Sequence, residues 1–491
     1  MKKISLVLIP LALSALVGCN QQGGGDKSEQ SGSGNKVTVN FWHCFGDKAE
    51  TALEGKVATF KKLVKENENV DVDVVLSYQG AYKDMPQKVK TGIATGDSPT
   101  IAIAYPDHVA DYLAMEDTPG KYVVNIDKYL NDAELTYGTD TYLGDTMGED
   151  DMIKSYMDEG RVFKQEGTYV VPLMKSTEIM CYNLTAVKKA MSYAYPNVAP
   201  DKVKEFMKTI TWEQLLEIAR AANEHKSEIS TNLEYPIYYD SDSNLFITQL
   251  YQNNIGYSSI GSDGVGHIDF ADGENLTKAK AIVTNLVAAA DENLLTTKGV
   301  EGTYSSSAFK EAKCLFTIGS TGGTGYTIPD AGQFEVGFAK VPTMGGENGR
   351  VGYISQGPSV CFINNPGLKS EENEIALKYG WKLIKYLTSK QVNVSLCVTG
   401  SEGYSPVRTS CYTTETYSDF ISDGEYYAEA ALVTQNDVAG RYYNSAVFTG
   451  SATLRTEVGA LITNVLIKGE KRSTVDDAFA LAINNAKTDI K

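Results

Sequence analysis

Histidine, tryptophan and proline are scarce in this chain of 491 residues, at 4, 3 and 14 respectively, and positive charge is in deficit. The four histidines, His43, His108, His225 and His267, sit in four separate segments without HExxH spacing, and no GxSxG turn occurs. Neither a zinc-hydrolase helix nor a serine-nucleophile elbow is therefore legible. With 45 Lys and Arg against 62 Asp and Glu, the formal net charge is -17. Such acidity argues against nucleic acid and anionic headgroups, both of which are held by Lys and Arg. No CxxC pair is present, and Cys44, Cys181, Cys314, Cys361, Cys397 and Cys411 read as small core residues rather than a disulfide framework. After residue 18 no run of 18 uninterrupted apolar residues follows, so no later spanning helix is expected. The segment 240–244 begins like a calcium loop, but Leu245 stands where glycine is required. No catalytic residue, metal site or cofactor is expected.

The amino end carries a clear pattern. Met1-Lys2-Lys3 precedes an apolar run over 4–17, too short to span a bilayer of about 30 Å, and Leu16-Val17-Gly18-Cys19 closes it. Leu-Val-Gly-Cys resembles the processing box of bacterial lipoproteins. The resemblance implies a signal peptide over 1–18, lipidation of Cys19 and anchoring on the extracytoplasmic face of the cell membrane. The following residues, NQQGGGDKSEQSGSGN, hold no large apolar side chain. They make 19–35 a flexible tether with a span of roughly 20–24 Å. The 473 residues left after residue 18 exceed what one core serves, so two lobes are expected.

Periodicity organises the rest. Alternating strands at 37–42 and 70–78, a buried strand at 100–104 and intervening helices at 47–66 and 83–94 open an α/β lobe with a mainly parallel sheet. Extended segments at 169–173 and 179–182 flank Lys175-Ser176-Thr177, and a helix follows over 184–195. Thr211 and Gln214 form a capping box ahead of the stripe Leu215, Leu216, Ile218, Ala219 and Ala222. Further strands are expected at 235–239, 315–318 and 359–363, and helices at 275–293, 305–312, 371–387, 454–467 and 473–487.

Seven segments in order resemble the extracellular solute-binding proteins of ABC importers, nearest to the branch that binds sugars and glycerol 3-phosphate. They are VNFWHCFG, the stretch from SYQGAYKDM to YPDHVADYLAM, VVPLMKSTEIMCYNLTAVKKA, TITWEQLLEIARAA, FKEAKCLFTIGSTGG, ISQGPSVCFI, and WKLIKYLTSKQV with TGSEGYSPVR. The resemblance implies a two-lobed periplasmic-binding-protein-like fold with a hinged cleft. It places an N-terminal lobe at 36–172 plus 318–400 and a C-terminal lobe at 173–317 plus 401–491. Crossings are expected near 170–177, 316–319 and 399–404. The implied function is capture of a sugar, polyol or glycerol phosphodiester by a monomer that delivers it to permease subunits. An anchored glycoside hydrolase and a ligand sensor for a membrane receptor remain as alternatives.

Carried over residue by residue, the implied solute contacts are Tyr82, Ser176, Ser320, Gly357 and Tyr404, with Asp107 one position off the branch's acidic residue. Two departures stand out. The branch's tryptophan is replaced by the stretch YYDSDSNLF, where Asp242 becomes the candidate contact, and its phosphate-facing arginine is missing from AVFTGS at 446–451. Without that guanidinium fork a neutral carbohydrate is favoured over a phosphodiester.

Overall fold

The computed structural model describes residues 36–490 apart from 146–147, 345–349, 402, 424–425 and 439–441. The signal, the lipidation site Cys19 and the tether lie outside these residues. β1 (Lys36–His43) turns alternate side chains inward, with Val37, Val39, Phe41 and His43 buried. The helix Asp47–Glu68 covers them with Leu53, Val57, Phe60 and Val64, one apolar stripe at helical spacing. β2 (Asp71–Tyr78) and β3 (Ile101–Ala104) lie parallel to β1 on either side, in register from Lys36 opposite Asp71 to His43 opposite Tyr78. This strand-helix-strand-helix-strand opening is the one expected. The sheet is completed by β4 (Val171–Pro172) and a strand from much later in the chain, given below.

The second sheet collects β5 (Glu178–Asn183), β6 (Ile237–Tyr239) and three later strands. A hairpin of β7 (Ser258–Ile260) and β8 (Gly266–Ile268) stands apart from it. Then come β9 (Leu295–Thr297), β10 (Phe316–Ser320) and β11 (Val336–Ala339), giving the order β11-β5-β10-β6-β9. The chain continues through β12 (Tyr353–Ile354), and β13 (Ser359–Phe362) inserts between β3 and β4 to give β2-β1-β3-β13-β4. β14 (Tyr442–Tyr443) pairs with β12. Each sheet is mixed rather than mainly parallel: β13 runs antiparallel to both neighbours, and β5 antiparallel to β10 and β11.

One apolar core surrounds the first sheet and another the second. Trp381, from the helix Ser370–Leu387, is fully buried in the first and stacks on Tyr129. These memberships move the expected lobe boundaries. β10 and β11 belong to the second sheet, so the chain recrosses after Ile354 and not at 316–319. Residues 396–398 and 407 pack in the first core, as do Tyr417 and Phe420, whereas Ala430 packs on the second sheet. The third passage thus falls between the helices Glu415–Ser422 and Tyr426–Val438 rather than at 399–404. An apolar strand such as TIGS reads alike whichever sheet receives it, because pairing is decided by partners distant in sequence.

Two crossing segments lie side by side. The backbones of Ser176 and Gln356 exchange hydrogen bonds of 2.9 and 3.0 Å, and Thr177 Oγ1 donates to the Ile354 carbonyl at 2.9 Å. Lys175, 2% exposed at its side chain, donates to Glu159 Oε2 at 2.6 Å, and the Ser355 hydroxyl donates to the other oxygen of Glu159.

Candidate functional site: the interlobe cleft

Solute sites in open α/β sheets sit beyond the carboxyl ends of the strands. Tyr105 follows β3 directly, and Pro106 then starts the helix Pro106–Leu113. Tyr82 stacks face to face on Tyr105, with ring centroids 5.0 Å apart and planes 11° from parallel. The Tyr82 and Tyr404 hydroxyls lie 3.5 Å apart. Burial pushes the pKa of Tyr82 and Tyr105 well up and that of Tyr404 to about 12, so all three present neutral hydroxyls at ordinary pH. Cys44 adjoins them, its thiol raised to about 12 mainly by burial.

The second lobe approaches this cluster at 320–326. Ser320 Oγ donates to Ser176 Oγ at 3.3 Å and accepts from the Gly322 amide at 3.2 Å. A side chain on Gly322 would strike the Tyr404 ring, and one on Gly403 the Thr321 carbonyl, so the lobes touch here. Beside them a cavity of about 130 Å³ is lined by Cys44, Gly46, Lys48, Tyr326, Ser401 and Tyr404 among others. That is below the 300–1,000 Å³ usual for sites that take drug-sized ligands. A larger solute requires the lobes to part.

A second contact closes the far side. Asp107 faces Arg455 of the helix Ser451–Leu466 as an ion pair of 3.5 Å between the lobes. Arg455 Nη1 also donates to Asn244 Oδ1 at 2.8 Å, and Asn244 Nδ2 to Glu178 Oε1 at 3.0 Å. The Tyr239 hydroxyl donates to the other Glu178 oxygen at 2.5 Å. Burial lifts the Glu178 carboxyl to about 7 against the pull of these donors. The Gly450 amide donates to Asp111 Oδ1 at 3.0 Å, and Lys90 pairs with Asp111 at 3.7 Å.

Of the candidates named from sequence, Tyr82, Ser176, Ser320, Tyr404 and Asp107 come together along this cleft. Gly357 stands at the crossing with φ +107°, where a Cβ would lie 2.6 Å from Lys175 Cα; it lets two crossing backbones approach. Asp242 is a correction. Its carboxylate is held within the second lobe by Thr297 Oγ1 at 2.6 Å, Thr463 Oγ1 at 3.0 Å and the Gly299 amide at 2.9 Å. The residue is buried, and all three donors belong to its own lobe. Neighbouring Ser241 caps the helix Asp242–Gln252 through the Asn244 amide, as a helix start and not a calcium loop. Tyr105 was missed although its position after a parallel strand signalled it. Arg455 lies 348 positions from Asp107, and no local pattern joins them.

Residues 57–424, about three quarters of the chain, match the family of bacterial extracellular solute-binding proteins. The chain belongs to this family. Solved structures of other solute-binding proteins share its two-lobed α/β fold. The GacH receptor of Streptomyces glaucescens, solved unliganded and with acarbose, is 18% identical with TM-score 0.64, over 92% of this chain and 97% of that one. UgpB of Mycobacterium tuberculosis, in complex with glycerophosphocholine, is 16% identical with TM-score 0.64, over 93% and 98%. Maltose-bound MalE3 of T. maritima is 15% identical with TM-score 0.64, over 92% and 99%. No curated protein matches the sequence.

Proposed function

We propose that this solute-binding protein is the lipid-anchored capture component of an ABC importer, taking a sugar or related polyol into the interlobe cleft and passing it to permease subunits. The observation that carries this reading is the stacked Tyr82–Tyr105 pair with the Tyr404 hydroxyl at the meeting of the lobes. Flat aromatic faces and neutral hydroxyls suit the apolar faces and hydroxyl edges of a sugar ring. Three cations around the cleft are matched by carboxylates: Arg455 by Asp107, Lys90 by Asp111, Lys175 by Glu159. An anionic phosphodiester would compete with those carboxylates, whereas a neutral solute need not. Acarbose and maltose, bound by two of the structural neighbours, are sugars of this kind. Tyr82, Tyr404, Ser176, Ser320 and Asp107 form the proposed contact set, Gly357 acts as a hinge glycine, and Cys19 holds the anchor.

A thermal-shift screen of sugars, polyols and glycerol phosphodiesters tests the reading. A sugar at 100 times its Kd stabilises the folded state by about 2.7 kcal/mol, and Tyr404→Ala is expected to abolish that shift. A phosphodiester as the sole hit, or turnover of a glycoside by the purified protein, overturns it.

A further inference from the structure

Three strands of the second sheet, β10, β6 and β9, run parallel and end at one edge. Ile318 pairs with Tyr239 and Tyr239 with Thr297, so Gly319, Asp240 and Lys298 follow in a single row just beyond the pairing. The Asp240 amide still donates to the Ile318 carbonyl at 2.8 Å, and Ser320, next along β10, meets Ser176 of the crossing. The row thus starts beside the proposed contact set and leads away from it along the carboxyl edge, where solutes of open α/β sheets bind. Two strand spacings make it about 10 Å long, more than one pyranose ring covers.

Printed contacts hold three side chains together at the far end of this row. Asp240 Oδ1 accepts from the Ser305 amide at 2.8 Å, and the buried hydroxyls of Ser305 and Thr317 share a hydrogen bond. These bonds pin the backbone beside Tyr304, whose ring is nonetheless 56% exposed. Lys298 Nζ lies over that ring, 3.3 Å from its centroid, which backs one face with a cation and leaves the other for contact. Gly319 makes room for the Asp240 carboxylate, since a Cβ there would stand 2.6 Å from Oδ2. No described residue donates to Oδ2, and that oxygen is not sealed from solvent. A carboxylate acceptor and an ammonium donor beside a flat ring cancel in charge and match the hydroxyls and apolar face of a sugar.

We infer that Tyr304, Asp240 and Lys298 form a subsite for a second sugar ring, which makes the solute an oligosaccharide of two rings or more. One ring lies among Tyr82, Tyr404 and Ser320. The next lies on the free face of Tyr304, with one hydroxyl donating to Asp240 Oδ2 and another accepting from Lys298 Nζ. The inference rests on the proposed capture of a sugar and names the length class of that sugar.

Calorimetric titration separates the two. D-glucose, D-mannose, D-galactose, any other monosaccharide that stabilises the protein in the thermal-shift screen, and the 1,4-linked disaccharides of each are titrated into the wild type, Tyr304→Ala and Asp240→Asn. Tyr304 is exposed, and asparagine keeps an oxygen for the Ser305 amide, so melting temperatures without sugar are expected to match the wild type. In the wild type the tightest disaccharide should bind at least about tenfold better than its own monosaccharide. Each variant should bind that disaccharide about tenfold more weakly, the scale of one stacked ring or one charged hydrogen bond, and the monosaccharide less than about twofold more weakly. Equal wild-type affinity for one ring and two, equal losses for both, or wild-type disaccharide binding in either variant overturns the subsite and leaves sugar capture standing. A wild type that binds none of these sugars overturns both.

Discussion

Glu178 begins the strand that leaves the first crossing, and it is sealed from water with a tyrosine hydroxyl on one oxygen and an asparagine amide on the other. Because burial raises its folded-state pKa to about 7 from an ordinary value near 4.5, the folded protein prefers the protonated acid. Its contribution to stability is therefore full below about pH 4.5 and lost as pH rises through 7. A shift of this size corresponds to a loss on the order of 3 kcal/mol. Glu178→Gln does not titrate, so urea denaturation at pH 4.5 and pH 7.5 should show a smaller decline for the variant than for the wild type. Equal declines would refute the assignment. Single residues also mark where sequence reading stops. Asp242 and Asp107 are both acidic residues in the first turn of a helix, and only the fold shows that one carboxylate is bonded inside its own lobe while the other meets Arg455 across the lobes.

Helices were the most legible elements. The capping box at Thr211 forms as expected: Thr211 Oγ1 accepts from the Gln214 amide at 3.2 Å, and Gln214 Oε1 accepts from the Thr211 amide at 3.0 Å. Thr211→Ala should cost about 1 kcal/mol, seen as a lower denaturation midpoint with an unchanged denaturant slope; no change in midpoint would mean that other contacts hold the helix start. The stripes of Asp47–Glu68 and Trp212–Glu224 were readable because each helix buries one face. Asp242–Gln252 escaped because it is buried nearly all round, which erases the stripe. Strands were less legible: β7, β8, β9, β11, β12 and β14, of two to four residues each, were not expected, and the expected strands did not reveal their partners. Nothing local in SVCF says that Ser359–Phe362 enters the sheet of residues 36–104, and nothing local in FTIGS keeps it out. The candidate contacts followed the same rule: those on one lobe were visible one at a time, and the meeting of Asp107 with Arg455 was not.

Taken whole, the molecule is two cores joined where Lys175, Glu159 and Ser355 bind two crossings together. Cutting one member of a buried ion pair strands the other, at about 3–5 kcal/mol. Lys175→Met should lower stability by that amount, and adding Glu159→Gln should recover most of it; scanning calorimetry of the single and double variants checks this, and a single variant as stable as the wild type would deny the pair its role. The sheet order also has a consequence in time. β13 fills the gap between β3 and β4, so residues near 100 and 170 meet only after residue 360 has been made. Loop closure over such spans is slow. For that part of synthesis the edge of β3 stands open, and only a strand from near residue 360 closes it.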